Sequence, residues 1–506
     1  MTLRAWNPIQ LQGYKIGNVP KLRRFAGQTV ATGVVATAVV GAAYALARVT
    51  DSAWWYAAVW MPLACGTIGI ARDPLLRCAR QPLVYTARCK RLLICHAAVC
   101  AGVFVLLGWA GMRCGAYAMF LPLGWICALG LCGLSLGVMS VPEAALRARW
   151  VGKCKRELRA RQGLIRIGIT GSYGKTSVKL ILRDILSVRF RVHATPSNYN
   201  TPLGICLTVR DMPADTQILI AEMGARHAGD IAQLCDIVRP SIGVVTGIAR
   251  QHLQTFGTID RIVRTKGELI RALPADGYCV CNACNPYVRT MYQECKIDKY
   301  GLGVDDRIRA ERIYTSAQGS DFLLIMDGVR MDCHTCLVGK HNIENILLAS
   351  AVAYRLGMTA EQIARGIAAV QPVPHRLQAI QAPNGVTVLD DSYNANEIGA
   401  KAALQTLSLF VGRKVVASQG LVELGARQNV ANYELGRQIA SAADLLIGIG
   451  PNRHAIAEGA LSEGMTADRI LHAETLEQAQ RMFGQVLRAG DVVLIQNDLT
   501  DDLQSK

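Results

Sequence analysis

The segment Leu164-Ile-Arg-Ile-Gly-Ile-Thr170-Gly171-Ser172-Tyr173-Gly174-Lys175-Thr176-Ser177 decides how the rest of the chain is read. The run from Leu164 to Thr170 predicts a buried strand, and the residues after Lys175 predict a helix to about Val188. A glycine-rich turn between strand and helix points backbone N–H groups at an anion, and the positive end of the helix adds to that field. Lys175 would reach terminal phosphates, and the Thr176 hydroxyl would sit on Mg²⁺. The glycine spacing is shorter than in the full G-x-x-x-x-G-K-[ST] form. The alternative is an ordinary glycine-rich strand-to-helix turn, but the strand before and the helix after favour a nucleotide.

Outward from this unit, apolar strands alternate with amphipathic helices, the pattern of an α/β domain with a mostly parallel sheet. After Gln371-Pro-Val-Pro374 the pattern restarts. Strands near Val386–Asp391, Lys414–Ser418, Leu445–Ile449, Arg469–His472 and Asp491–Ile495 predict a second, Rossmann-like doubly wound domain. The first 150 residues differ. The stretches 26–47, 52–71, 92–112 and 114–142 contain no Asp, Glu, Lys or Arg, each long enough for a bilayer crossing of ~20 residues. The basic loops at 72–91 and 147–159 and the basic tail 1–24 then place both termini and the catalytic part on the cytoplasmic side. The expected fold class is therefore an α-helical membrane region, 1–150, with about four spans. A central P-loop ATPase domain, 151–370, and a Rossmann-like C-terminal domain, 371–506, follow.

The 506 residues carry a net charge of +17 and 17 cysteines. Much of the charge flanks the apolar stretches, so it is accounted for without nucleic acid, and membrane lipid is the expected contact. The cysteines are scattered and read as reduced thiols. Cys281-x-x-Cys284 and Cys333-x-x-Cys336 could form a four-thiolate zinc site, although the separation between the pairs is long for one. His96 lies inside an apolar stretch, and a hydrogen bond to a neighbouring helix is its expected role.

The segment Thr170–Lys179 resembles the phosphate loop of the Mur ligases, closest to the branch that adds D-alanyl-D-alanine (MurF). The resemblance continues in order. Asn198-Tyr-Asn-Thr-Pro-Leu-Gly204 is similar to the family's substrate-side loop. Glu222 closes an apolar strand, as the family's metal-binding glutamate does. His252 resembles its second metal-site residue, and Lys266 its often carbamylated lysine. Asn342 and Asn345 resemble its adenine-contacting pair, and the spacing of three puts both amides on one helix face. Arg376 at the joint resembles the arginine that reaches a terminal phosphate. Asp391, in Leu389-Asp-Asp391-Ser-Tyr-Asn-Ala-Asn396, resembles a residue for the ribose or for domain closure.

The resemblance, over roughly 163–500, implies an ATP- and Mg²⁺-dependent amide-bond ligase of cell-wall precursor synthesis. Nucleotide would lie on Gly171, Ser172, Tyr173, Gly174, Lys175, Thr176, Ser177, Asn342, Asn345, Arg376 and Asp391. Metal would lie on Thr176, Glu222, His252 and Lys266, and chemistry would depend on Lys175, His252, Lys266 and Arg376. The mechanism implied is an acyl phosphate opened by an amine such as D-alanyl-D-alanine. Two segments depart from the family: Gln419-Gly-Leu-Val-Glu-Leu-Gly425 matches in its second half, and Gln496-Asn-Asp-Leu499 replaces a lysine-glycine-serine loop. The apolar stretches replace the family's UDP-holding domain, so a lipid-linked precursor at a cell membrane is expected beside the UDP-linked one. An ATP-binding scaffold without ligase activity and a transport ATPase are the alternatives from other classes.

Overall fold

The computed structural model describes residues 86–113, 117–197, 199–393 and 396–496. They divide between two compact units, the second being Arg149–Leu499. In the first unit, helix α1 (Ala87–Arg113) and the part of helix α2 (Tyr117–Ala160) before Arg149 are joined by polar contacts. Arg91 pairs with Glu143 at 2.7 Å, Arg88 approaches the same carboxylate at 3.5 Å, and His96 Nδ1 meets Ser135 Oγ at 3.0 Å.

These contacts correct the expected membrane region. The stretches 26–47 and 52–71 lie outside the described residues. The other two fall on α1 and α2, and among the described residues no helix is long and apolar enough to cross a membrane. Counting charge-free positions overlooked two things. Arg88 and Arg91 at the start of α1 pair with Glu143 of α2, and α2 does not stop at Pro142 but runs on through Arg147, Arg149 and Lys153. The multi-pass localisation, the cytoplasmic orientation, the membrane-lipid contact and the lipid-linked precursor all rested on those spans and lose their support with them.

The second unit is built on two six-stranded sheets. The first has the order β2-β3-β1-β4-β5-β6. Its strands are β1 (Ile165–Thr170), β2 (Val192–Ala194), β3 (Ile218–Glu222), β4 (Ile242–Val245), β5 (Tyr278–Cys281) and β6 (Asp298–Gly301), all parallel. Every residue of β3 and β4 is buried. Such unbroken apolar runs are what a parallel sheet covered on both faces requires. Helix α3 (Lys175–Leu186) lies over this sheet. Its Val178, Ile181, Leu182, Ile185 and Leu186 repeat at helical spacing and are fully buried, each stabilising the fold by roughly 1.5–3 kcal/mol.

An antiparallel meander of β7 (Ile308–Ser316), β8 (Gly319–Met326) and β9 (Val329–Thr335) follows, then helices α4 (Lys340–Arg355) and α5 (Ala360–Ala369). Gly366 lets α5 approach α3, since a Cβ there would stand 2.7 Å from Ile185 Cα. The second sheet has the order β10-β11-β15-β12-β13-β14. Its strands are β10 (Gln378–Gln381), β11 (Thr387–Asp391), β12 (Lys414–Ser418), β13 (Leu445–Ile449), β14 (Ile470–Ala473) and β15 (Val492–Gln496), and only the β10–β11 pair is antiparallel. The register sets Ile169 beside Glu222 and Thr170 beside Val245, so the end of β1 is flanked by the ends of β3 and β4. In a parallel sheet this carboxyl edge is where ligands bind.

Candidate active site

The turn after β1 is held from the β4 side. Ser172 N–H donates to Gly247 O at 2.6 Å, the Ser172 hydroxyl to Ala249 O at 3.1 Å, and the Thr246 hydroxyl to Tyr173 O at 2.5 Å. The Tyr173 ring lies against Gly247, and Asn285 donates to its hydroxyl at 3.2 Å. Gly174 has φ 79° and caps α3 without a side-chain acceptor, so the first N–H groups of the helix face outward into the turn. Ser177 stands in that first helical turn. Any side chain at 174 would press on Asn345, because a Cβ there would lie 3.1 Å from Asn345 Oδ1. Asn345 in turn donates to Asn342 Oδ1 at 3.4 Å, and Asn342 donates to Val338 O at 2.9 Å. The two amides thus stand on α4 beside the glycine turn.

Lys175 Nζ bonds Gly171 O at 2.8 Å and Ser172 O at 3.3 Å, and no carboxylate among the described residues forms an ion pair with it. Burial brings its pKa down to about 8, against the pull of Glu222 and with a push from Arg376. A half-buried ammonium cradled by carbonyls beside open helix N–H groups fits a polyphosphate. Thr176 donates to Glu222 Oε2 at 3.0 Å. Glu222 is 2% exposed. Burial raises its pKa, but Lys179, Lys175 and the bond from Asn200 outweigh that and hold it below the ordinary range. A hydroxyl and an ionised carboxylate side by side are hard oxygen donors, the chemistry Mg²⁺ selects.

Lys266 is buried, and its pKa falls to about 7. Desolvation is the main cause, Lys175 adds to it, and Asp230, Glu222 and Glu268 oppose it. His252 stands in the left-handed region at φ 53°, and its Nδ1 contacts Glu423 rather than Glu222 or Lys266. Arg376 sits between two left-handed residues, His375 and Leu377, and stacks on Tyr393 at 4.1 Å. Desolvation lowers its pKa against the attraction of Asp391, Tyr393 and Glu222. Asp391, at the end of β11, is pushed up to about 7 by burial, with Arg376 opposing and Asp390 adding.

The structure therefore links Lys175, Thr176, Glu222, Lys266, Arg376 and Asp391 in one chain of contacts centred on Glu222, with Asp391 reached through Arg376. It leaves His252 turned toward the second lobe. The zinc alternative is not supported. Cys284 donates to Leu302 O and Cys336 to Val370 O, and among the described residues no three His, Cys, Asp or Glu side chains are grouped to hold a metal.

The Mur ligase middle domain model matches residues 169–353, and the Mur ligase glutamate ligase domain model matches 375–496. The UDP-N-acetylmuramoyl-tripeptide–D-alanyl-D-alanine ligase of Bacillus subtilis is 31% identical over 331 residues, 65% of this chain and 72% of that protein. The chain belongs to the Mur ligase family. The Mycobacterium tuberculosis ligase of the same name is 33% identical over 360 residues, covering 66% of this chain and 70% of its own. A crystal structure of MurF from Acinetobacter baumannii superposes with a TM-score of 0.64 at 25% identity, over 71% of this chain and 81% of that one. The MurF ligase of Thermotoga maritima, solved with ADP, shares the fold, with a TM-score of 0.62 at 24% identity over 70% of this chain and 80% of that one. This Mur ligase is an ATP-dependent, ADP-forming carbon–nitrogen ligase of peptidoglycan precursor synthesis that uses Mg²⁺.

Four contributors to the site were not singled out as site residues in the sequence, although Asn200 lies in the segment read as a substrate-side loop. Lys179, Asn200 and Thr195 all touch Glu222, and Glu423 touches His252. Lys179 was visible as a second lysine one turn after Lys175. The others depend on long-range packing.

Proposed function

We infer that this Mur ligase joins D-alanyl-D-alanine to the free carboxylate of a UDP-linked muramoyl-tripeptide. Similarity to ligases of that name supports the substrates. The observation that carries the chemistry is the half-buried, carbonyl-cradled Lys175 beside the Thr176–Glu222 pair. Residues 151–370 are taken as the nucleotide-binding domain and 371–506 as the lobe that closes on it. The 171–177 backbone and Lys175 hold the terminal phosphates of ATP, while Asn342 and Asn345 face the adenine edge. Thr176 and Glu222 hold Mg²⁺, which neutralises phosphate charge when bound.

An oxygen of the precursor carboxylate attacks the γ-phosphorus, ADP leaves, and an acyl phosphate forms. The amine then attacks the acyl carbon, loses a proton and expels inorganic phosphate. The protein's part is positioning and charge neutralisation. Arg376 supplies positive charge from the second lobe, its fork suited to phosphate oxygens. Asp391 orients Arg376 or the ribose. Lys266, with a pKa near neutrality, is free to take up carbon dioxide as a carbamate, which with His252 adds donors on the precursor side.

Lys175→Ala tests the assignment. Precursor-dependent ATP turnover should vanish while circular dichroism stays that of the parent. Full turnover in the variant would remove the phosphate-loop reading.

A further inference from the structure

Lys179 has no part in the roles above. It follows Lys175 by four residues on α3 and so shares its face. Its side chain is fully buried and pairs with Glu222 Oε2 at 3.0 Å. The same ammonium donates to Ser197 O at 2.6 Å. Ser197 is held at φ 41°, a left-handed conformation that a non-glycine residue adopts only under constraint. From the other end of the same loop, Asn200 donates to Glu222 Oε1 at 3.3 Å, and Asn200 O accepts from Gly224 N–H at 3.1 Å. Thr195 Oγ1 accepts from Glu222 N–H at 3.0 Å. Thr195, Asn200 and, through Lys179, Ser197 are therefore fastened to both oxygens and to the backbone of one carboxylate residue.

A buried ammonium needs acceptors for its protons, because leaving it unpaired in the interior is strongly unfavourable. Here it divides itself between a loop carbonyl and the carboxylate oxygen that Thr176 also contacts. A divalent cation arriving at that oxygen would withdraw one of the two acceptors. The ammonium must then make up the loss at Ser197, and the loop is the partner that can adjust. We propose that Lys179 is a positioning residue that links cation binding at Glu222 to the placement of Thr195, Ser197 and Asn200, so that metal and precursor affinities depend on each other. The proposal rests on the reading of Glu222 as a metal ligand and of this loop as facing the precursor. Linkage is reciprocal, so either ligand reports it.

The test is Mn²⁺ binding by electron paramagnetic resonance, without ATP, with and without saturating UDP-muramoyl-tripeptide. It is run on the full chain and on Lys179→Met, Lys179→Gln and Asn200→Ala, with steady-state KM for both substrates alongside. In the parent, precursor should change Mn²⁺ affinity at least about fivefold, the lower end of ordinary coupling. In Lys179→Met the ratio should collapse toward one, and KM for precursor should rise much more than KM for ATP. Lys179→Gln, which keeps a donor, should lie between, and Asn200→Ala should also weaken the ratio. If Lys179→Met does not fold, the other two variants decide. An unchanged ratio in folded variants, or equal rises in both KM values with only a lower Tm, would make Lys179 a packing residue and overturn the proposal. A parent with no precursor-dependent turnover would instead sink the underlying functional reading and take the proposal with it. An inactive Lys175→Ala with normal coupling would leave both standing.

Discussion

Gly247→Ala should cripple nucleotide binding without touching a phosphate contact. A Cβ at 247 would stand 2.1 Å from Tyr173 Cζ and 2.5 Å from its Cε2 and Oη, so the ring cannot remain where it is. Forcing a methyl into such a contact costs roughly 1–3 kcal/mol. The ring cannot swing out freely either, because Asn285 holds its hydroxyl and Ser172 N–H is bonded to Gly247 O at 2.6 Å. If the turn takes up the strain, ATP affinity should fall by roughly 5- to 150-fold, at 1.4 kcal/mol per tenfold. Isothermal titration with ATP and Mg²⁺ would measure it. Removing the ring as well, in Gly247→Ala/Tyr173→Ala, should recover a large part of the loss relative to the sum of the single changes, since the two residues share one contact. Parent-like ATP affinity in Gly247→Ala, or strict additivity in the pair, would refute this account of how the turn is held.

Two further outcomes follow from the second lobe. Asp391 has its pKa raised to about 7 by burial, so its protonated form favours the folded state. That contribution is complete below the unfolded value, near 3.9, and is lost as pH rises through about 7. Asp391→Asn should therefore flatten the fall in Tm between pH 5 and 8 while lowering ligase activity; an unchanged Tm profile would contradict the burial argument. Glu423→Ala removes the contact that joins the second lobe to His252. Loss of a hydrogen bond to a charged carboxylate, about 1.5–3 kcal/mol, should lower kcat tenfold or more with KM for ATP unchanged. A rise in KM for ATP with kcat preserved would place Glu423 at the nucleotide instead.

Much of the catalytic unit was legible because its signals are local. The strand at 165–170, the glycine turn and the apolar face of α3 are contiguous in sequence, and the strands of the second sheet are short apolar runs between turns. The meander β7–β9 was missed, since its strands carry mixed faces such as the exposed Tyr314 and Val329 rather than clean alternation. The Lys179–Ser197 and Asn200–Glu222 contacts join residues 18 and 22 positions apart, and His252–Glu423 joins residues 171 apart. No periodicity encodes such pairs. The membrane reading failed for the opposite reason. Absence of charge is a local signal, but Glu143 and Ser135, which meet Arg88, Arg91 and His96, are separated from them by a helix length.

The most direct test is phosphate release by the purified full chain with ATP and Mg²⁺, given UDP-linked muramoyl-tripeptide and D-alanyl-D-alanine together and each alone. The account predicts release only with both present, one ADP per product, and a product mass equal to the sum of the two substrates less one water. Release with neither, or a product formed with ammonia or a single amino acid but not with the dipeptide, would contradict it.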